Sequence, residues 1–154
     1  RSASNAGDKL HKSCEKFLLE EELPPMAPNI RMLFNTIKPE LLKIEKVIGI
    51  EIPLYSDFLK CAGRADCIGY YDGELSIIDF KNSRKHKKES WIESYFLQTT
   101  IYAMMFMEMY KKPVKNIIIL MAVWDGSKLV FRQPVRKRLD DVVELMKEYN
   151  YLWK

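Results

Sequence analysis

An α/β fold with a mixed central β-sheet flanked by helices is predicted by three observations. Asp72-Gly73 stands between two β-rich runs, and Asp-Gly is among the strongest short-range hairpin signals. Lys115–Trp124 (KNIIILMAVW) is a continuous apolar run of the kind buried on both faces of a sheet. A long apolar helix precedes that run, so a helical crossover would set it parallel to a strand of the hairpin. At 154 residues the chain is expected to be one domain, 1–154, and 47% hydrophobic content is enough for a sizeable core.

Gly7–Glu22 has Leu10, Cys14, Phe17 and Leu18 at helical spacing and is expected to be an amphipathic helix. His11 and Glu15 lie beside that stripe one turn apart, and Glu15 is taken as structural. Three prolines make Leu23–Asn29 a loop. Asn29 is expected to cap a second helix with Ile30, Leu33, Phe34, Ile37 and Leu41 on one face, which Pro39 breaks or kinks. Lys46–Leu54 alternates weakly and is expected to form a strand that contains Glu51, followed by strands over Phe58–Tyr71 and Glu74–Lys81. Glu89–Lys111 is too apolar all round for a surface helix, with Trp91, Tyr95, Leu97, Ile101, Met104 and Met105. After Lys115–Trp124, Asp125-Gly126 turns the chain into a short strand, Lys128–Arg132. A last helix from about Lys137 packs Val142, Val143, Leu145, Met146 and Tyr149.

Gly63–Lys81 holds charged residues that an ordinary core would not. In a strand alternate side chains share a face, so Asp79 and Lys81 point one way while Ile78 and Phe80 point the other. Strand pairing can bring Asp66 close to Asp79. Two carboxylates about 4 Å apart repel by roughly 4 kcal/mol at an effective dielectric near 20, so either one is protonated or a cation lies between them. Oxygen ligands of this kind suit Mg²⁺ or Mn²⁺ better than zinc. A lysine on the same face can hold an attacking water or stabilise charge on a phosphate.

Asp66 followed by Asp79-Phe80-Lys81 resembles the PD-(D/E)XK nuclease signature, in the form found in RecB-type exonuclease domains. The likeness extends to the mitochondrial genome maintenance exonuclease and its phage and bacterial relatives, and it covers nearly the whole chain from Gly7. Two departures stand out: Ala65 replaces the proline before Asp66, and Asn82 stands where many relatives have Thr. The resemblance implies a restriction-endonuclease-like core. It also implies that Asp66, Asp79 and the Phe80 carbonyl bind Mg²⁺ or Mn²⁺ and that Lys81 assists the nucleophilic water. His11, after a glycine turn and ahead of the hairpin, matches the family's histidine ligand. Glu51 matches an acidic residue that serves as an outer ligand or orienter. Gln98 and Tyr102 match the Gln-x-x-x-Tyr motif lining the pocket. The activity so implied is exonuclease action on single-stranded DNA or DNA ends. A flap-type or Cas4-like endonuclease and a non-catalytic nucleic-acid-binding module are the alternatives, although the chain lacks the four cysteines of Cas4-like proteins.

Formal net charge is +4, compatible with a polyanionic partner but too small to demand one. Its placement says more than its sum. Asn82–Lys88 carries Arg84, Lys85, Lys87 and Lys88 plus His86 directly after Lys81, so Ser83 and these basic residues are expected to track a DNA backbone. Cys14, Cys61 and Cys67 are an odd number with no C-x-x-C spacing, which argues against a disulfide framework, a zinc site or an iron–sulfur cluster. They point to an intracellular, reducing compartment, the cytoplasm of a bacterium or phage-infected cell or else the mitochondrial matrix. No run is long enough for a membrane span, and oligomeric state is not read from the sequence.

Overall fold

The structure, a computed structural model, describes residues 2–152. A five-stranded sheet in the order β1-β2-β3-β4-β5 is built from β1 (Ile44–Ser56), β2 (Cys61–Tyr71), β3 (Glu74–Ser83), β4 (Asn116–Val123) and β5 (Lys128–Pro134). Neighbours pair antiparallel except β3 and β4, which are parallel and joined through helix α3 (Glu93–Tyr110). The expected α/β class with a mixed sheet is therefore the one observed. At the β2–β3 turn Asp72 and Gly73 both take positive φ, 49° and 80°, as a tight Asp-Gly hairpin requires. Among the described residues no helix is long and apolar enough to cross a membrane.

The alternation along β4 divides the interior into two cores. Ile118, Leu120 and Ala122 join Ile78 and Phe80 against α1 (Ser2–Leu18) and α2 (Pro28–Leu41). Ile117, Ile119, Met121 and Val123 join Ile77 and Ile68 against α3. Helix α4 (Leu139–Leu152) packs Val142 and Met146 outside α3, against Leu97, Ile101 and Met104.

Local differences from expectation have identifiable causes. The first helix starts at Ser2 and stops at Leu18, so Gly7 is a helical residue rather than part of a turn. A Cβ at Gly7 would stand 3.0 Å from Asn82 Nδ2, so glycine lets α1 approach the end of β3. Ala27 rather than Asn29 takes the N-cap of α2, because Pro28, with its fixed φ and missing N–H, suits the first helical position. Pro39 lies within α2, and the helix continues to Leu41. Residues 57–60 form a turn, so β2 begins at Cys61 and not at Phe58. Trp91, expected inside, is 62% exposed on a short 3₁₀ turn, Glu89–Trp91, ahead of α3.

Glu40 is buried under this framework. Its carboxylate takes the Tyr71 hydroxyl at 2.5 Å, Lys128 Nζ at 3.0 Å and Lys43 Nζ at 3.1 Å. Burial acts to raise its pKa, but these three partners outweigh burial and hold it below the usual glutamate range. Its contribution is therefore present above the unfolded glutamate pKa and lost as pH falls through the lowered folded value. Glu40→Ala is expected to cost about 2 kcal/mol in urea unfolding at neutral pH, chiefly by orphaning the buried Tyr71 hydroxyl. The gap from the parent should shrink in acid.

Candidate metal centre

The site lies where β2 parts from β3. Their ladder ends at Cys67 opposite Ile78, so Asp66 and Asp79 stand just beyond the last paired residues. There the Phe80 N–H, which a neighbouring strand would otherwise satisfy, donates to Asp66 Oδ2 at 3.0 Å. On the other side of the same peptide unit's residue, His11 Nε2 lies 2.5 Å from the Phe80 carbonyl oxygen and donates to it when its proton is there. The Phe80 backbone is thus held by an imidazole on its carbonyl and a carboxylate on its N–H.

Asp66 and Asp79 stand together at this fork, near enough for the charge of Asp79 to act on Asp66. Burial first, and then the charge of Asp79, push the Asp66 carboxyl up to about 8. Asp79 is 5% exposed, and its Oδ2 is buried without a hydrogen bond. That oxygen's close neighbour is Lys81 Nζ at 3.0 Å, a charge contact whose angle is not that of a hydrogen bond. Burial works to lower the Lys81 pKa, but Asp79, with Asp66 behind it, outweighs burial and keeps the ammonium above its ordinary value. The protein's own carboxylates thus hold Lys81 as a cation.

Glu51 completes the group. His11, Glu51 and Asp66 each offer a ligand atom, and these atoms lie within 4.8 Å of one another. His11 Nδ1 is 3.6 Å from Asp66 Oδ1. Glu51 sits between the β1 residues that pair with Cys67 and Ala65, which places it opposite Asp66. Its φ of 51° is in the left-handed region, a conformation that costs a non-glycine residue roughly 1–3 kcal/mol and concentrates at functional sites. Arg64 pairs with it at 3.6 Å. A divalent cation fits this donor set: carboxylate oxygens on three strands, the Phe80 carbonyl, an imidazole, and one buried oxygen that no hydrogen bond satisfies.

Helix α3 supplies one wall. Tyr102 packs on Gly63, where a Cβ would stand 2.7 Å from the ring, and burial with the charges of Asp79 and Asp66 raises its phenol. Gln98, one turn earlier, is exposed. Of the expected backbone-tracking residues, Arg84, Lys85, Lys87 and Lys88 are exposed. Ser83 is buried at the end of β3, and its hydroxyl donates to the Lys85 carbonyl at 2.6 Å, so it faces the loop and not the solvent. Asn82 accepts the Trp124 indole N–H at 3.0 Å, a packing role in place of the hydroxyl of relatives.

Two further residues belong to the site. Tyr95 lies under Lys81, its ring centre 4.7 Å from Nζ, and its position three before Gln98 and seven before Tyr102 was the available signal. Glu15, set aside as structural, stands near Glu51; burial first, then Glu51, raises it to about 7. The i,i+4 spacing puts it beside His11, but nothing in the sequence brings Glu51 to it. A groove of about 630 Å³ lined by Tyr70, Leu75, Lys112 and Arg136 lies at the start of β3, away from these carboxylates.

The sequence profile of the PD-(D/E)XK nuclease superfamily matches residues 5–148. Among solved structures, a candidate exonuclease from Eubacterium rectale is similar, with a TM-score of 0.66 at 11% identity over 96% of this chain. This chain spans 64% of the length of that one, and at such identity the likeness concerns the fold. No curated protein matches this chain.

Proposed function

Because the chain belongs to the PD-(D/E)XK nuclease superfamily, we propose that it is a divalent-metal-dependent deoxyribonuclease, an exonuclease of the RecB type acting on single-stranded DNA or DNA ends. The observation that carries this reading is the meeting of Asp66 and Asp79 at the β2–β3 fork with the Lys81 ammonium 3.0 Å from Asp79. His11, Asp66, Asp79 and the Phe80 carbonyl, with Glu51 as outer ligand, would hold Mg²⁺ or Mn²⁺. When bound, such an ion polarises a phosphoryl oxygen and lowers the pKa of water.

The chain's own groups do the rest. Lys81 is held as a cation, so it serves as a hydrogen-bond donor and positive charge for the attacking water or a phosphate oxygen, not as a base. Tyr95 fixes that ammonium from below. The exposed Gln98 amide can donate to a phosphate oxygen, and the Tyr102 ring offers a face to a base. Phosphates leaving the site would pass the basic loop 84–88.

Incubation with end-labelled linear and closed circular single-stranded DNA, with and without Mn²⁺, tests the reading. Mn²⁺-dependent loss of linear DNA with circles intact is expected. Nicked circles would make the protein an endonuclease, and retardation without cleavage would make it a binding module. His11→Ala is expected to raise the Mn²⁺ concentration for half-maximal activity by roughly 10- to 100-fold. Superimposable metal titrations would remove His11 from the ligand set.

A further inference from the structure

From Lys81 onward, cations stand over aromatic rings repeatedly. Lys81 Nζ is 4.7 Å from the Tyr95 ring centre, the Arg84 guanidinium 4.8 Å from that of Trp124, and Lys88 Nζ 5.4 Å from that of Trp91. Trp124 is a partly buried member of this set, anchored through its indole N–H to Asn82. Trp91 differs: its neighbour Ile92 is 3% exposed and Phe96 is fully buried, yet Trp91 itself is 62% exposed. It lies on the 3₁₀ turn Glu89–Trp91 that leads into α3, the helix whose Tyr95 ring lies against the Lys81 ammonium.

Charge and shape together select an occupant for this surface. Arg84, Lys85, Lys87 and Lys88 call for a polyanion, and the exposed Trp91 indole calls for flat apolar groups between the charges. Single-stranded DNA has both, whereas a duplex hides its base faces in its own stack and offers phosphates alone. We infer that Trp91, with Lys88 beside it, is a base-stacking platform that selects single-stranded over double-stranded DNA at this site. The inference rests on the nuclease reading and names the group that would set its strand preference. Lys88 covers the indole in the free protein; with DNA bound, a base takes the ring face and the ammonium turns to an adjoining phosphate.

Fluorescence anisotropy tests this with labelled oligothymidylate and a hairpin duplex of equal length, at fixed salt in the presence of a chelator. Trp91→Ala is expected to weaken oligothymidylate binding about 5- to 150-fold, the range of single base–aromatic stacks, and to leave duplex binding within about twofold. Trp91→Phe, which keeps a ring, is expected to retain most of the affinity. Lys88→Ala is expected to weaken both probes and to flatten the plot of log affinity against log salt. Trp91 is 62% exposed, so circular dichroism of these variants is expected to match the parent. Unchanged oligothymidylate affinity in Trp91→Ala, or an equal loss for both probes, would overturn the platform. If the parent still degrades DNA with Mn²⁺ in that case, the nuclease reading stands without it. A parent that neither binds nor degrades DNA overturns both.

Discussion

Replacing Lys81 with alanine is expected to slow metal-dependent DNA cleavage by roughly 10³-fold, the loss typical of removing one preorganised donor aimed at developing charge. The ammonium is a quarter exposed, so it can turn N–H groups toward a phosphate while Asp79 and the Tyr95 ring fix its position. No other lysine or arginine among the described residues pairs with Asp79 within ion-pair distance. The fold should survive, because Lys81 lies at the margin of the core and its β-ladder bonds to β4 belong to the backbone. DNA affinity is expected to fall only slightly, since the basic loop 84–88 remains. Single-turnover rates on labelled DNA, beside anisotropy, check this. An unchanged rate would remove Lys81 from the chemistry.

Asp66→Asn is expected to separate function from stability in opposite directions. The asparagine carbonyl can still accept the Phe80 N–H, and its amide can face Asp79 without the repulsion of a second carboxylate. Cleavage should disappear with the ligand charge. In chelator, by contrast, the variant should be more stable than the parent. The sign follows from the raised Asp66 pKa: the metal-free parent is fully stabilised below the unfolded aspartate range and loses that contribution as pH climbs through about 8. The variant has no such group, so thermal melts in chelator should diverge in its favour as pH rises from 5 to 9 and converge in acid. Each kcal/mol gained shifts the midpoint by roughly 2–4 °C in a chain of this size. Melts that stay parallel at every pH would mean the two carboxyls do not share a site.

Much of this centre is legible in the residues because it is local and periodic. The Asp-Gly turn sets the hairpin, the two-residue period puts Asp79 and Lys81 on one face, and pairing carries Asp66 to Asp79. The apolar run of β4 announces burial on both faces, and the crossover helix explains its parallel pairing with β3. What escapes depends on how distant elements dock. Tyr95 reads as one more apolar residue of α3, and only the seat of α3 on the sheet brings its ring to Lys81. Glu15 reads as a solvent-facing helix residue until β1 delivers Glu51 to it. Trp91 reads as core by hydrophobicity alone, but the 3₁₀ turn at Glu89–Trp91 lifts it into solvent. Ser83 reads as part of a basic loop, yet β3 runs on through it and buries it.

Calorimetric titration of Mn²⁺ into the parent and into Asp66→Asn, at neutral pH without DNA, probes the shared carboxylate centre most directly. Saturable binding to the parent that vanishes in the variant is the expected result. Binding of equal strength to both proteins, or none to the parent, would contradict a metal centre at the β2–β3 fork.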